Sequence, residues 1–214
     1  MLKIIRQFFK SMRFKWGRLQ LRTALLRNIP GIYGVIIRTS LLQKHFAYAG
    51  DGLKVHEGFR FRNIHKIAVG DNVTLGVDSF IQGGGNVEIG DDVIISQGVK
   101  IITFSRKYEN RDMKITDQGI EYKNIVIGND VLIEPDAVIL PGTVLGDGVV
   151  VRAGAVVDNQ IIEPYTIIAG NPARVTGGRL SPDNQQAPIE SDSNRIKNLN
   201  LSENRIVSKE AVKE

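Results

Sequence analysis

The chain has 214 residues, of which 42% are hydrophobic, so it is long enough for one domain with a substantial core plus appendages. It contains no cysteine, which excludes disulfides, thiol nucleophiles and thiolate metal sites. Residues 1–50 hold ten Lys or Arg and no Asp or Glu, whereas residues 51–177 hold 12 basic and 17 acidic side chains. The net charge of +5 therefore belongs to the N-terminal segment, and we expect no nucleic-acid partner.

Residues 1–50 are predicted to form a basic amphipathic helical arm. Pro30-Gly31 breaks the arm, and Ile32–Phe46 is predicted to form a second helix. The first helix, over residues 1–27, could make peripheral contact with anionic lipid at the inner face of the cell membrane, or it could cover the open end of the next domain. The apolar residues that fall near one face of this helix are Met1, Ile5, Phe8, Met12, Trp16 and Leu19.

The early apolar runs are interrupted by basic residues, so no secretory signal is expected. The longest uncharged early run is Asn28–Ile37, well short of the roughly 20 residues that span a bilayer. These features predict a cytoplasmic protein.

Residues 51–176 carry an apolar repeat with a period of six. A period of six fits neither a helix nor an ordinary strand, and it is typical of a parallel β-helix whose short strands form three faces of a stacked coil. Large aliphatic residues hold the first place of six consecutive units at Ile127, Ile133, Ile139, Leu145, Val151 and Val157. The fifth places, also predicted to point inward, are Val131, Ala137, Thr143, Val149, Ala155 and Ile161.

The same period predicts two earlier coils. One contains Val69, Leu75 and Ile81, and the next contains Ile89, Ile95 and Ile101. These coils are two residues out of step, which predicts an enlarged corner at residues 82–86, where three glycines allow a bulge or a close approach. Residues 53–66 are irregular, with Val55, Phe61 and Ile64 as the expected inward side chains.

After Ile101 the period is interrupted, and it resumes at Ile127, so residues 107–126 are predicted to leave the β-helix as an excursion loop. Loops of this length are usually functional or disordered. Five apolar residues predict an ordered loop that packs on a neighbour: Tyr108, Met113, Ile115, Ile120 and Tyr122. Residues 177–214 are rich in Ser, Asn and Gln, and we expect a disordered tail.

These motifs resemble those of the hexapeptide-repeat acyltransferases, in particular the sugar O-acetyltransferase type. The resemblance rests on Ile127–Asp130, Val138–Gly146, Ala153–Val157 and Ala169–Arg174. It implies a left-handed parallel β-helix, a homotrimer, and an acetyl-CoA or other acyl-CoA cosubstrate in the groove between protomers. It also implies an excursion loop over the active site and a sugar or glycan acceptor.

The resemblance fails at the catalytic position. Members of the family carry a His general base where this chain has Arg106, within the run Thr103–Tyr108. Arginine stays protonated and has no acceptor atom, so it cannot take a proton from a hydroxyl. The other histidines, His45, His56 and His65, all precede the regular repeats.

Other positions of the expected groove also depart from the family pattern. The usual Trp-Ile-Gly is Leu132-Ile133-Glu134, a small residue is replaced by Arg152, and the usual Thr-Lys is Asp158-Asn159. Asp78 aligns with an Asn that faces the acceptor in sugar-specific members.

Two functions follow from the resemblance. The first is acyl transfer from acetyl-CoA to a sugar hydroxyl in the synthesis of a surface polysaccharide or related glycoconjugate, with Ala153, Asn171 and Arg174 binding CoA and Asp78 orienting the acceptor or acting as a weak base. The alternative is an inactive trimeric scaffold or regulatory partner in which Arg106 and Glu134 pair. A zinc carbonic anhydrase of this fold would need His ligands within the coils, and none follows His65; no metal is expected.

Overall fold

The computed structural model describes residues 15–179, which form two helices followed by a parallel β-helix. The helices are α1 (Lys15–Leu26) and α2 (Gly31–Leu42), and short 3-10 helices lie at Gln43–His45, Ile64–Lys66 and Ile115–Asp117. The strands of the first three coils are β1 (Tyr48–Ala49), β2 (Lys54–Val55), β3 (Arg60–Arg62), β4 (Ile67–Val69), β5 (Thr74–Leu75), β6 (Phe80–Gln82), β7 (Val87–Ile89), β8 (Ile94–Ile95) and β9 (Lys100–Ile102). The remaining strands are β10 (Phe104–Arg106), β11 (Ile120–Tyr122), β12 (Ile125–Ile127), β13 (Leu132–Ile133), β14 (Val138–Ile139), β15 (Val144–Leu145), β16 (Val150–Val151), β17 (Val156–Val157), β18 (Ile161–Ile162), β19 (Thr166–Ala169) and β20 (Arg174–Gly178).

The strands build three parallel faces, which the chain visits in the order A, B, C. Face A contains β1, β4, β7, β12, β15 and β18; face B contains β2, β5, β8, β13, β16 and β19; face C contains β3, β6, β9, β14 and β17. Tyr48 pairs with Ala68, whereas Val126 pairs with Val144, so the later coil is shorter than the early one by two residues. In the second coil, the two extra residues lie in the predicted enlarged corner between β6 and β7.

The hexapeptide pattern correctly identifies the core. Every predicted first-place residue from Ile127 to Val157 is at most 1% exposed, and the β-helix predicted from the sequence is confirmed. In the first coil, Val55 and Ile64 are fully buried, and Phe61 is partly buried against the core. That coil, which the sequence left irregular, is complete, because β1, β2 and β3 pair in register with β4, β5 and β6.

The prediction that Ile161 points inward is wrong. Ile161 is 76% exposed, and Ile162 is buried in its place. Leu145 pairs with Ile162, whereas Ile127 pairs with Leu145, so the last coil is shorter by one residue than the coil before it. Because neighbouring strand residues face opposite sides, this single deletion exchanges the inward and outward positions.

One corner, between faces A and B, explains the repeated Gly-Asx pairs of the sequence. The Asp51 N–H donates to Asp71 Oδ1 at 2.7 Å, and the Asp71 N–H donates to Asp91 Oδ1 at 2.8 Å. The series continues from Asp91 to Asn129 at 2.8 Å and from Asn129 to Asp147 at 2.6 Å. The residue before each donor is Gly, since a Cβ there would collide with the Asx side chain of the next coil.

The helices cover the open edge of the first coil. The Val55 N–H donates to Thr39 Oγ1 at 3.1 Å, and the Val55 carbonyl accepts from Arg38 Nε at 3.2 Å, so side chains of α2 satisfy an edge strand. Leu19 of α1 is 3% exposed and belongs to the core. This part of the arm therefore acts as a cap. The other predicted apolar positions of the first helix up to Met12 lie outside the described residues, and no helix among residues 15–179 has the length and hydropathy to cross a membrane.

Candidate functional site

The excursion from the β-helix is an antiparallel hairpin of β10 and β11. Its base is fixed to the corner between faces C and A by Thr103, whose Oγ1 donates to the Gln82 carbonyl at 2.6 Å and accepts from the Gly85 N–H at 2.9 Å. The Tyr122 ring lies against Gly84, where any Cβ would collide with it. Two of the three glycines of this corner, Gly84 and Gly85, thus allow the hairpin and the chain after it to lie close to the β-helix, whereas Gly83 lies against Ile67 and Asn63.

The loop between the hairpin strands is held by Gln118. Its Nε2 donates to the carbonyls of Asn110 and Met113 at 2.7 and 3.0 Å, and its Oε1 accepts from the Asn110 N–H at 3.1 Å. The apolar side chains of the hairpin point to solvent in the single chain; Tyr108 is 70% exposed and Ile115 is 55% exposed. An ordered hairpin with an exposed apolar surface is suited to contact with another protein surface.

Arg106 ends β10 and is exposed. Its backbone pairs with Ile120, and the structure shows no hydrogen bond or ion pair of its side chain with any residue of the 15–179 segment. Within one chain Arg106 and Glu134 do not pair, because Glu134 has another partner and lies at another corner; a pairing between protomers stays a prediction.

That partner is Arg152, at the corner between faces B and C. Arg152 Nη1 donates to Glu134 Oε1 at 3.0 Å, and the Ala153 N–H donates to Glu134 Oε2 at 2.9 Å. Ala153 was expected to offer backbone contacts to CoA, but its amide is engaged by Glu134. The sequence contains the signal for this pair, since Glu134 and Arg152 hold equivalent positions in consecutive coils, just as Leu132 and Val150 do.

Asp78 lies at the same corner, three coils below Ala153. It has a left-handed backbone with φ of 54° and is stacked between Gly58 and Gly98, which also have positive φ. The Asp78 N–H donates to the Glu57 carbonyl at 2.9 Å, and its carboxylate lies against Gly58. Asp78 is thus a corner residue with an exposed side chain.

Asn171 and Arg174 lie at the upper end of this corner. The Val156 N–H donates to the Gly170 carbonyl at 2.9 Å, and the Ala173 N–H donates to the Val156 carbonyl at 2.8 Å. The structure therefore brings the segment with Asn171 close to Ala153, while Arg174 begins β20 and donates to the Ala173 carbonyl at 2.8 Å.

The described chain extends past the domain end expected at residue 176. Strand β20 pairs with β19, and Arg179 forms an ion pair with Asp130 at 2.6 Å and lies 5.9 Å from the Tyr165 ring centroid. The rest of the tail lies outside the described residues.

The candidate residues are divided between two corners. Asp78, Glu134 and Ala153 lie before face C, whereas Arg106 and Asp158 lie after it. A three-residue strand separates these corners by roughly 10 Å, and the hairpin projects from the far one. One chain therefore does not bring Asp78 and Arg106 together.

No histidine lies on the hairpin. His45 follows α2, and burial, together with the positive charges of Lys44 and Arg22, lowers its pKa. His56 follows β2 and His65 lies in a 3-10 helix, both in the first coil. Within residues 15–179 no group of three or more His, Cys, Asp or Glu side chains is placed to hold a metal ion.

Sequence reasoning missed a groove of about 590 Å³ between α1 and the lower part of face C. Its wall on face C has two columns, in which Arg60, Phe80 and Lys100 are successive neighbours, and so are Arg62, Gln82 and Ile102. Phe104, at the start of the hairpin, completes the lining on one side. The signal in the sequence is the length of the early coils. Outward residues that are 20 positions apart, such as Arg60, Phe80 and Lys100, become neighbours on face C.

Comparison with known proteins agrees with the repeats. Residues 66–102 match the family model described as the hexapeptide repeat of succinyl-transferase, and residues 124–159 match the bacterial transferase hexapeptide of six repeats. A probable acetyltransferase of Mycobacterium tuberculosis is 34% identical over 127 residues, which are 59% of this chain and 40% of that protein. The chain thus spans well under two thirds of that relative.

Two solved structures are similar over most of their length. A hexapeptide-repeat acetyltransferase of Vibrio cholerae, in complex with acetyl-CoA, has a TM-score of 0.67 and 27% identity, over 77% of this chain and 88% of that one. A maltose O-acetyltransferase of Clostridium difficile has a TM-score of 0.66 and 29% identity, over 82% and 89% of the two chains. Neither relative supports the alternative of an inactive scaffold. The chain thus carries two stretches of transferase hexapeptide repeat, and in its repeats and fold it is similar to hexapeptide-repeat acetyltransferases.

Proposed function

We propose that this protein transfers an acetyl group from acetyl-CoA to a hydroxyl of a sugar. Its similarity to an acetyltransferase that binds acetyl-CoA and to a maltose O-acetyltransferase supports the donor and the acceptor class. The observation that carries the proposal is the hairpin: the excursion that bears Arg106 is ordered and fixed to the β-helix through Thr103. We place the reaction in glycoconjugate or surface-polysaccharide synthesis in the cytoplasm, and lipid contact through residues 1–27 stays a sequence-based prediction.

The reaction needs a group that removes the proton of the acceptor. The hydroxyl oxygen attacks the thioester carbonyl carbon, the C–S bond breaks, and the hydroxyl proton ends on the CoA sulfur. Arg106 cannot accept the proton. We assign that role to Asp78, an exposed carboxylate for which residues 15–179 provide no ion pair. A carboxylate is a weaker base than a histidine for this step, so we expect slow turnover.

The site requires more than one copy of the chain. Asp78 and Ala153 lie at one edge of face C, whereas Arg106 projects from the other edge on a hairpin with exposed apolar side chains. In a homotrimer, the hairpin of one protomer can reach the corner between faces B and C of its neighbour. We therefore infer a homotrimer in which Arg106 of one protomer lies beside Asp78 of its neighbour, and in which CoA binds along Ala153, Asn171 and Arg174.

The test is acetyl-CoA binding by calorimetry and release of free CoA with sugar acceptors, using the native chain, Arg106→His and Asp78→Asn. We expect micromolar binding by all three proteins. Restoring a histidine should raise turnover by about 10²-fold, the lower end of the effect of a general base, and Asp78→Asn should lower turnover of the native chain. If none of the proteins binds acetyl-CoA, the proposal fails; if Asp78→Asn turns over as the native chain does, Asp78 is not the base.

A further inference from the structure

The groove between α1 and face C is strongly basic. Four cationic side chains line it: Arg27, just after α1, and Arg60, Arg62 and Lys100 from the first and third coils. None of the described residues that line it is acidic. None of these four takes part in an ion pair with another residue of the described 15–179 segment. Four cations that face one cavity without an acidic partner among the described residues favour an anion with several oxygens, such as a phosphate.

The groove is also apolar along its length. Phe61, Phe80, Ile102 and Phe104 line it from the first coil to the hairpin, and the buried ring of Phe59 supports Phe61 with ring centroids 6.1 Å apart. A free inorganic anion or a simple sugar phosphate would leave this surface exposed to water, at a cost in proportion to its area. The lining therefore fits a ligand that carries a hydrocarbon chain as well as a phosphate.

A third feature is a hydrogen-bond acceptor that has no donor. Gln82 is 7% exposed, and its side-chain Oε1 is buried without a partner among residues 15–179. A buried amide oxygen without a donor costs stability, and in a cavity wall it indicates a donor on a ligand. A sugar hydroxyl is such a donor. Gln82 lies between Arg62 and Ile102 in its column, so the hydroxyl would bind between a cation and an apolar side chain.

The groove ends beside the proposed site of acyl transfer. Phe104 lines the groove, and Arg106 is two residues on in β10, so the two side chains lie on the same side of the strand about 7 Å apart. A ligand in the groove can thus present a sugar to the position that Arg106 occupies.

We propose that this groove holds the acceptor, and that the acceptor is a phosphate-bearing glycolipid, in which a sugar is joined through phosphate to a hydrocarbon chain. This inference rests on the proposed acetyl transfer for the role of the ligand as acceptor. Arg60, Arg62 and Lys100 bind the phosphate. Phe61, Phe80 and Phe104 contact the hydrocarbon chain of the lipid, and Gln82 accepts a hydrogen bond from a sugar hydroxyl.

The test uses three soluble probes with the full-length protein: glucose 1-(decyl phosphate), decyl glucoside and glucose 1-phosphate. The first contains the phosphate, the chain and the sugar; the second lacks the phosphate and the third lacks the chain. Calorimetry should show that the first binds at least tenfold more tightly than either of the others, and that its affinity falls as salt rises. If decyl glucoside or glucose 1-phosphate binds equally well, the proposal is wrong.

Two variants locate the binding. Arg60→Gln/Arg62→Gln removes two exposed cations of the groove and should weaken binding of the complete probe at least tenfold. The matched control, Lys44→Gln/Lys54→Gln, removes two exposed cations elsewhere and should leave that affinity unchanged. Gln82→Met should weaken the probe severalfold without lowering the melting temperature, because it removes an acceptor that has no partner among residues 15–179 of the unliganded fold. Equal losses in the arginine and lysine variants would overturn the assignment.

Acetyl-CoA binding, measured on the same proteins, separates this proposal from the proposed function. Native protein that binds acetyl-CoA but none of the three probes is still a candidate acetyltransferase, and the glycolipid groove is refuted. Protein that binds the complete probe through Arg60 and Arg62 but does not bind acetyl-CoA has the glycolipid site without the proposed reaction.

Discussion

Arg38 offers the sharpest test of how the helices are joined to the β-helix. It is 3% exposed, and its Nε donates to the Val55 carbonyl of the first coil at 3.2 Å. Its Nη1 donates to the carbonyls of Leu26, Arg27 and Ile29 at 3.2, 3.3 and 2.7 Å, which lie at the end of α1 and just after it. One cation therefore caps α1 and binds it to an edge strand, as expected for positive charge at a helix C-terminus.

The cost of replacing Arg38 with Met follows from these contacts. Hydrogen bonds from a charged donor contribute about 1.5–3 kcal/mol each, and the bonds to Ile29 and Val55 carry most of the effect because the others share one nitrogen. The substitution also removes an unfavourable contribution of about 1–3 kcal/mol to the free energy of folding. This is the cost of burying Nη2 without a partner among residues 15–179, and the same burial lowers the pKa of Arg38. We expect a net loss of about 2–4 kcal/mol, or roughly 5–15 °C in melting temperature.

The assay is urea unfolding of the full chain, followed by circular dichroism and by the fluorescence of Trp16, the single tryptophan, in α1. The control is Arg22→Met, which removes an exposed arginine from α1, the helix that contains Trp16. In Arg38→Met the fluorescence transition should move to lower urea than the transition of the β-helix. If the two variants differ by less than about 0.5 kcal/mol, the range of ordinary surface substitutions, Arg38 does not hold the helices in place.

Three further changes test the site and its support. Glu134→Ala frees the Ala153 amide, and calorimetry should show acetyl-CoA affinity rising about threefold to tenfold; weaker binding would contradict the assigned groove. Gly84→Ala forces the Tyr122 ring away from its corner, so trypsin should cleave the hairpin faster while the circular dichroism of the β-helix is kept; unchanged cleavage would be the contrary result. Burial lowers the pKa of His45 in the folded state, so His45 does not affect the free energy of unfolding above about pH 6.5 and lowers it as the pH falls toward the folded pKa. In His45→Gln, the free energy of unfolding from urea curves should lose this dependence on pH.

The fold follows from the sequence because its signal is repeated. Inward residues from Val69 to Val157 recur at intervals of six within each coil, and the same spacing is seen independently in every coil. The exposed Ile161 shows where this reasoning fails, since a coil shortened by one residue leaves two adjacent isoleucines and only pairing with Leu145 decides which is buried. Periodicity identifies a register, and it cannot locate a deletion within an apolar run.

The site was less accessible from the sequence for a related reason. The replacement of the family histidine by Arg106 is visible in a single motif, but the pair of Glu134 with Arg152 requires the coil length, which differs between early and late coils. Arg38 lies within an apolar helix, and its contacts belong to segments 9 to 17 residues away that share no motif with it. Gln82 reads as a polar residue before three glycines, and only the structure shows that its oxygen is buried.

The Asx series has a direction that bears on synthesis. Each turn amide donates to a side chain of the following coil, from Asp51 to Asp71, from Asp71 to Asp91, and from Asp91 to Asn129. On a ribosome, a turn can be completed only after the next coil has emerged. At roughly 5–20 residues per second, one coil takes about 1–4 s, whereas the hairpin doubles the interval before Asn129 appears. The excursion therefore lengthens the interval between the third and fourth coils, during which the first three coils and their helical cap must hold together with the Asp91 turn incomplete.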